Sequence, residues 1–301
     1  MRGYYGGDPW RRQRCRRAGT AKEAVTSDQK GDPVSDLQIG GMALRDGVML
    51  QSPTNWAAAV RLPDGSLRVR SGPKPLLPGR GLAGKVPVLR GLARLADNMT
   101  ALYPARRELG VPVLPQEDPA LLAATLGSAT LGAVLRRSGK GSPLVRELAI
   151  AGLTLAPALL AIRSSELSRF HGAEHKSVAA YESGGDARGA AKEHDRCGSN
   201  LIGPLVATNL AGGLLLRGLG RSRNPLTTLL VGLVSLGSAV EIFAWMSRHR
   251  GHPLADLMRA PGLRMQRLVT TREPTSDQLD VAQAAMEELL RLEGLPLPAG
   301  G

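Results

Sequence analysis

The sequence predicts a mainly α-helical membrane protein of about four transmembrane helices, with a small β-containing N-terminal module and a C-terminal amphipathic helix. Three observations predict it: four apolar runs between residues 120 and 246, turn chemistry between two strand-like stretches near residue 64, and a capped periodic segment after residue 274. The chain carries a net charge of +13, with 39 Lys and Arg against 26 Asp and Glu. Such an excess favours contact with an anionic surface, nucleic acid or phospholipid. Aromatic residues make up only 3% of the chain, too few for the stacking platforms of single-strand and RNA binders. No zinc-finger, KH or RNP pattern is present. Membrane lipid is therefore the expected anionic partner, and nucleic acid is not.

Residues 1–36 form a Gly-, Arg- and Lys-rich arm without the apolar stretch of a secretory signal peptide. Its composition predicts a disordered tail, either solvated or resting on anionic headgroups; an RNA or ribosome contact through it is the outlying reading. The two cysteines, Cys15 in this arm and Cys197 deep in the chain, do not suggest a structural disulfide and fit a reducing compartment.

The β module is expected over residues 37–75. Within it, residues 56–71 read as a hairpin turning at Pro63-Asp64-Gly65, where proline presets φ and glycine accepts a positive one. Met42–Leu50 is the expected partner strand. Residues 76–112 supply a Pro/Gly-rich linker and an amphipathic helix with Leu89, Leu92, Leu95, Met99 and Leu102 on one stripe. That helix is expected to pack on the hairpin or lie in the membrane interface.

Residues 113–250 contain the apolar runs 120–135, 144–162, 201–216 and 226–246. A span needs about 20 apolar residues, which the fourth run meets and the second nearly meets. The first and third are shorter, but their Gly, Ala, Ser and Thr content suits close helix packing in lipid. Counting Lys and Arg, the tails and the 163–200 loop outweigh the short hairpins, which puts both termini and that loop in the cytoplasm. Residues 251–301 form a C-terminal cytoplasmic helix and tail. The helix opens on the capping-box pair Thr275 and Gln278, presents Leu279, Ala282, Met286 and Leu289 on one face, and ends at Gly294. The composition leaves a homo-oligomer open.

Chemistry is concentrated in the 163–200 loop. Of five histidines in the chain, His171 and His175 stand four apart in "FHGAEHK", and on a helix both imidazoles share a face within reach of one ion. The order His-x-x-Glu-His inverts the His-Glu-x-x-His pattern, and either spacing lets a neighbouring glutamate, here Glu174, act on water at a metal. "EHDRCGSN" adds His194 and Cys197 after a spacer of 18 residues. If all four bind, the site is a closed, structural zinc site; if three bind, it is a catalytic one with Glu174 as general base. Glu147 and Glu241 lie inside apolar runs, where an ionisable group usually has a partner or a function. Each is either a further ligand or an interfacial group beside Arg146 or Arg248. Arg196 is placed to pair with an anionic substrate or with Glu182.

At these residues the chain resembles the bacterial domain-of-unknown-function family 1385, multi-pass membrane proteins described as metal-dependent enzymes. The resemblance covers about residues 39–292 and rests on "GGMALRDGVMLQSP", "FHGAEHKSVAAYE", "HDRCGSN" and "PGLRMQRLVTTREPTSDQLDVAQAAM". His171, Glu174, His175, Lys176, Tyr181, Glu182, His194, Arg196, Cys197 and Gly198 match the family pattern position by position. Phe170, Asp195 and Ser199 stand where the pattern has Tyr, Pro and Thr, and Met42 and Asp46 where it has Gln and Glu. No proposed ligand is lost, and the family brings no established reaction. The resulting expectation is an integral membrane protein with a zinc-type site, acting as a metal-dependent hydrolase of unknown substrate. The alternative is a non-enzymatic scaffold or transporter-like protein whose metal staples the loop.

Overall fold

A computed structural model describes residues 37–77, 80–114, 117–138, 142–162, 165–220 and 224–296. The basic arm 1–36, with Cys15, lies outside the described residues. The β module is a four-stranded antiparallel meander of β1 (Gly40–Leu44), β2 (Gly47–Gln51), β3 (Asn55–Arg61) and β4 (Leu67–Pro73). The expected hairpin at Pro63-Asp64-Gly65 joins β3 to β4, with Gly65 at φ 81°. The stretch expected as one strand, Met42–Leu50, is instead two, because the chain turns at Arg45-Asp46 and pairs Met42 with Met49.

Both faces of this sheet are covered, and its buried side chains alternate between them as the pleat requires. Val48, Leu50, Ala57 and Ala59 pack against Phe170, Ala173, Val178, Tyr181 and a row of residues from Val281 to Leu290. Met49, Trp56, Ala58 and Val60 pack on the other side against Ala101, Ala105, Leu109 and Val113. The expected amphipathic segment forms α2 (Leu89–Met99) and α3 (Leu102–Leu109) after a single turn α1 (Arg80–Ala83); α3 supplies the second cover and α2 packs on a later helix. The segment is two helices, not one: Pro104 has no N–H for the carbonyl of Thr100 and its ring crowds that carbonyl.

Two helical hairpins leave this layered body and return to it. The first is α4 (Pro119–Ser138) with α5 (Pro143–Ile162), between α3 and α6 (Ser165–Ser183). The second is α7 (Ile202–Gly218) with α8 (Pro225–Arg248), followed by α9 (Pro253–Met265) and α10 (Ser276–Glu293). Among the described residues, three helical stretches are long and apolar enough to cross a membrane: Pro119–Ser138, Gly198–Leu216 and Leu226–Arg248. The first and third runs, short as apolar runs, reach this length because a proline-led start at Pro119 and a 3-10 turn at Gly198–Leu201 lengthen the helical stretches. The second run forms α5, 20 residues long. The helices expose leucines such as Leu126, Leu131, Leu215, Leu229 and Leu230, which an aqueous surface would not favour in such number.

The α2–α8 crossing is close enough for backbone contact. A Cβ on Gly91 would sit 2.3 Å from the carbonyl oxygen of Gly237, and one on Gly237 would sit 2.4 Å from that of Val88. There Glu241 of α8 accepts from Arg90 of α2, with 2.9 Å from Nε to Oε1 and a second contact from the guanidinium, and Arg94 lies 4.0 Å away. The acidic group inside the apolar run is thus paired across helices rather than with Arg248 along its own.

The C-terminal helix has the expected ends. Thr275 accepts from the Gln278 N–H while Gln278 returns the bond to Thr275 N–H, and Gly294 closes the helix at φ 67°. Its buried face is Gln278, Val281, Ala282, Ala285, Met286, Leu289 and Leu290.

Candidate metal centre

The loop expected over 163–200 is helical in its first half. α6 carries "SELSRFHGAEHKSVAAYES" and is buried for most of its length between the sheet and α10. One turn of this helix brings His171 above His175, with ring centroids 4.3 Å apart. Each imidazole is held through its Nδ1: His171 to the carbonyl of Thr270 at 2.8 Å, His175 to the carbonyl of Lys192 at 2.6 Å. A carbonyl oxygen only accepts, so Nδ1 carries the proton in both rings and both Nε2 lone pairs are free to bind an ion.

One ring nitrogen of each histidine and the Cys197 Sγ lie within 4.8 Å of one another. The His171 Nε2 to Sγ distance is 3.4 Å. Tetrahedral zinc, with bonds of about 2.0–2.1 Å to nitrogen and 2.3 Å to sulfur, places two such ligands about 3.5 Å apart. The donor set therefore fits a zinc-type ion in composition, tautomer and spacing. Burial lowers the His175 basicity, against the opposing effect of Cys197, which keeps the ring in its neutral, ligating form.

Glu174 borders the same point. Its Oε2 is 3.6 Å from His175 Nε2, and the residue is 6% exposed. Burial pushes its carboxyl above the ordinary carboxylate value, opposed by the charges of His171 and His194. The carboxyl fits only because β1 passes it with glycine: a Cβ on Gly41 would sit 2.1 Å from Glu174 Oε1. A recess of about 90 Å³ opens here, lined by Gly41, His171, Glu174, His175, His194 and Cys197 among others.

His194 lines the recess but does not converge with the other three. Its ring lies 5.8 Å from that of His175, its Nε2 is 3.3 Å from Glu182, and its Nδ1 accepts from the Arg196 N–H at 3.3 Å. Burial lowers its basicity, with Glu174 and Asp195 opposing. Arg196 pairs with Glu182, so these two and His194 form a polar rim. Glu147, near the start of α5, and Glu241, paired with Arg90, neither join the cluster nor line the recess.

Residues 152–292 match the family described as Protein of unknown function (DUF1385). The match spans somewhat under half of the chain. The chain is also 27% identical over 304 aligned residues to "Uncharacterized protein YqhQ" of Bacillus subtilis (strain 168), covering 85% of this chain and 93% of that one. No solved structure matches it.

Within the matched segment, several supporting residues escape sequence reasoning. Gln266 is fully buried; it accepts from the His194 N–H at 2.8 Å and donates to Ser199 Oγ at 2.9 Å. It thereby fixes the turn that carries Cys197. Asn200 reinforces that turn by donating to the carbonyl of Asp195 at 2.8 Å. The π-helical turn Gln266–Thr270 presents the Thr270 carbonyl to His171, and such turns recur at functional sites. Gly172 lets the chain after that turn approach α6, since its Cβ would sit 2.1 Å from the carbonyl oxygen of Arg272. The only sequence signal for any of these is the glycines themselves: Gly172 inside a helix and Gly41 inside a strand both mark close approach.

Proposed function

We propose that this chain is an integral protein of the cytoplasmic membrane with four spans and a zinc-type site that serves a metal-dependent hydrolase. The observation that carries the reading is the convergence of His171, His175 and Cys197 beside a buried carboxylate that faces a recess. Three ligands and an adjoining space for substrate are the pattern of catalytic rather than structural zinc. A divalent ion held there supplies Lewis acidity to a carbonyl or phosphoryl group. Glu174 accepts a proton from the attacking water and hands it to the leaving group. The water oxygen bonds to the electrophile as the bond to the leaving group breaks.

One observation favours a second reading. Glu174 Oε2, 3.6 Å from His175 Nε2, is near enough to close the coordination as a fourth ligand, which makes the ion a staple in a scaffold or transporter-like protein. Cobalt substitution separates the two. In the hydrolase, the visible spectrum of the cobalt protein shifts on adding acetohydroxamate, and Glu174→Gln keeps its metal. An unresponsive spectrum together with metal loss in Glu174→Gln establishes the staple instead.

Each helical hairpin starts from and returns to the layered body that holds the site, which supports an even number of spans, with α5 as the fourth beside α4. With the basic excess on the body and tails, the metal centre and both termini face the cytoplasm, and lipid contacts the exposed leucines. C-terminal fusions test this: green fluorescent protein is expected to fluoresce there and alkaline phosphatase to stay inactive. The opposite pair of results places the terminus outside.

A further inference from the structure

A second cavity, of about 630 Å³, abuts the metal centre on the side away from Glu174 and His175. The two spaces share Gly41, His171, Cys197 and Gly198 as a common wall. Its polar walls are confined to that end and its neighbours Ser199 and Thr270. The remainder is apolar, including Met42, Leu102, Leu159, Leu167, Ile202 and Met265. Leu159 belongs to the last turn of α5 and Ile202 to the first of α7, so the cavity sits where two apolar helices meet the body that carries the site. The thioethers of Met42, Met99 and Met265 adapt to an irregular or mobile apolar guest.

We infer that this cavity holds the apolar chain of a membrane amphiphile whose polar, hydrolysable head lies at His171 and Cys197. Three observations together select that occupant. The space is of the size that buries a small ligand. Its polarity runs from ligating groups at one end to aliphatic walls at the other. It lies at the ends of α5 and α7, which the proposed topology sets in lipid, so that a chain can enter from the bilayer. A water-soluble substrate would leave most of this wall unfilled. The inference rests on the hydrolase reading for the position of the head, and on the cavity and the proposed membrane setting for the tail.

The test uses the full chain in detergent, loaded with cobalt, and two hydroxamates that share a metal-binding head: acetohydroxamate and decanohydroxamate. Binding is read from the cobalt spectrum. The wild-type chain is expected to bind the longer probe about 100-fold or more tightly than the shorter, since each buried methylene favours binding severalfold. Ala161→Phe, which fills the cavity from the end of α5, is expected to cut that ratio below about threefold. Leu159→Gln changes polarity with little change in volume and serves the same purpose if Ala161→Phe does not fold. Both variants are measured in the same detergent, so partition of the probe into micelles cancels. Equal binding of the two probes by the wild-type chain overturns the inference and leaves the metal site standing. Failure of both probes to perturb the spectrum removes the open metal site and the amphiphile reading with it.

Discussion

Replacing His171 and His175 together by alanine is expected to strip the purified chain of its metal. Elemental analysis of the detergent-purified wild type should find about one divalent ion per chain, zinc by the donor set. The double variant should retain less than about a tenth of that, because one thiolate cannot hold the ion alone. Cys197→Ser should also lose most of it, as a hydroxyl replaces a far better zinc ligand. His194→Ala is the informative companion. Its Nε2 is engaged with Glu182 and its ring stands 5.8 Å from that of His175, so its removal should leave the metal content near wild type. Full metal in the double variant would refute the site, and loss in His194→Ala equal to that in Cys197→Ser would make His194 a ligand.

Gly172→Ala is expected to damage the same site without touching a ligand. The new Cβ would meet the carbonyl oxygen of Arg272 at 2.1 Å, and backbone, unlike a side-chain tip, has little room to yield. Two bonds depend on that approach: Arg272 N–H to the carbonyl of Ser168 at 3.0 Å, and His171 Nδ1–H to the carbonyl of Thr270 at 2.8 Å. Pushing the segment away frees His171 to change tautomer and tilt. Metal affinity should fall by about 10–100-fold, the usual effect of losing the group that orients a histidine ligand. Stability should fall by about 1–3 kcal/mol from overpacking. Competition against a zinc chelator reads the first and thermal unfolding the second. Gly127→Ala, with nothing within 4 Å of the added Cβ, is the control and should change neither. Wild-type zinc affinity in Gly172→Ala would show that the Thr270 carbonyl does not orient the ring.

The elements that sequence reasoning recovers are those written in consecutive residues. The one-turn spacing of His171 and His175, the Thr275–Gln278 capping box with Gly294, and the Pro63-Asp64-Gly65 turn all depend on neighbours within a few positions, so local rules suffice for them. The apolar runs are likewise legible, since length and composition are all that a bilayer requires of a span. Even there, the partner of Glu241 proved to be Arg90, 151 residues distant, and not its neighbour Arg248.

By itself, then, the sequence determined which residues could ligate a metal and that apolar helices accompany them. Only the tertiary structure decided which ligands converge. His171 meets Cys197 across 26 residues because Gln266 clamps the turn before Gly198 and because glycines at positions 41 and 172 let β1 and the 271–274 segment close on α6. The same packing turns His194 toward Glu182 and leaves Glu174 beside His175 at the edge of the recess. Spacing along a chain constrains one helical face at a time, whereas a coordination sphere is drawn from several elements whose separation is set by how closely their backbones can pack.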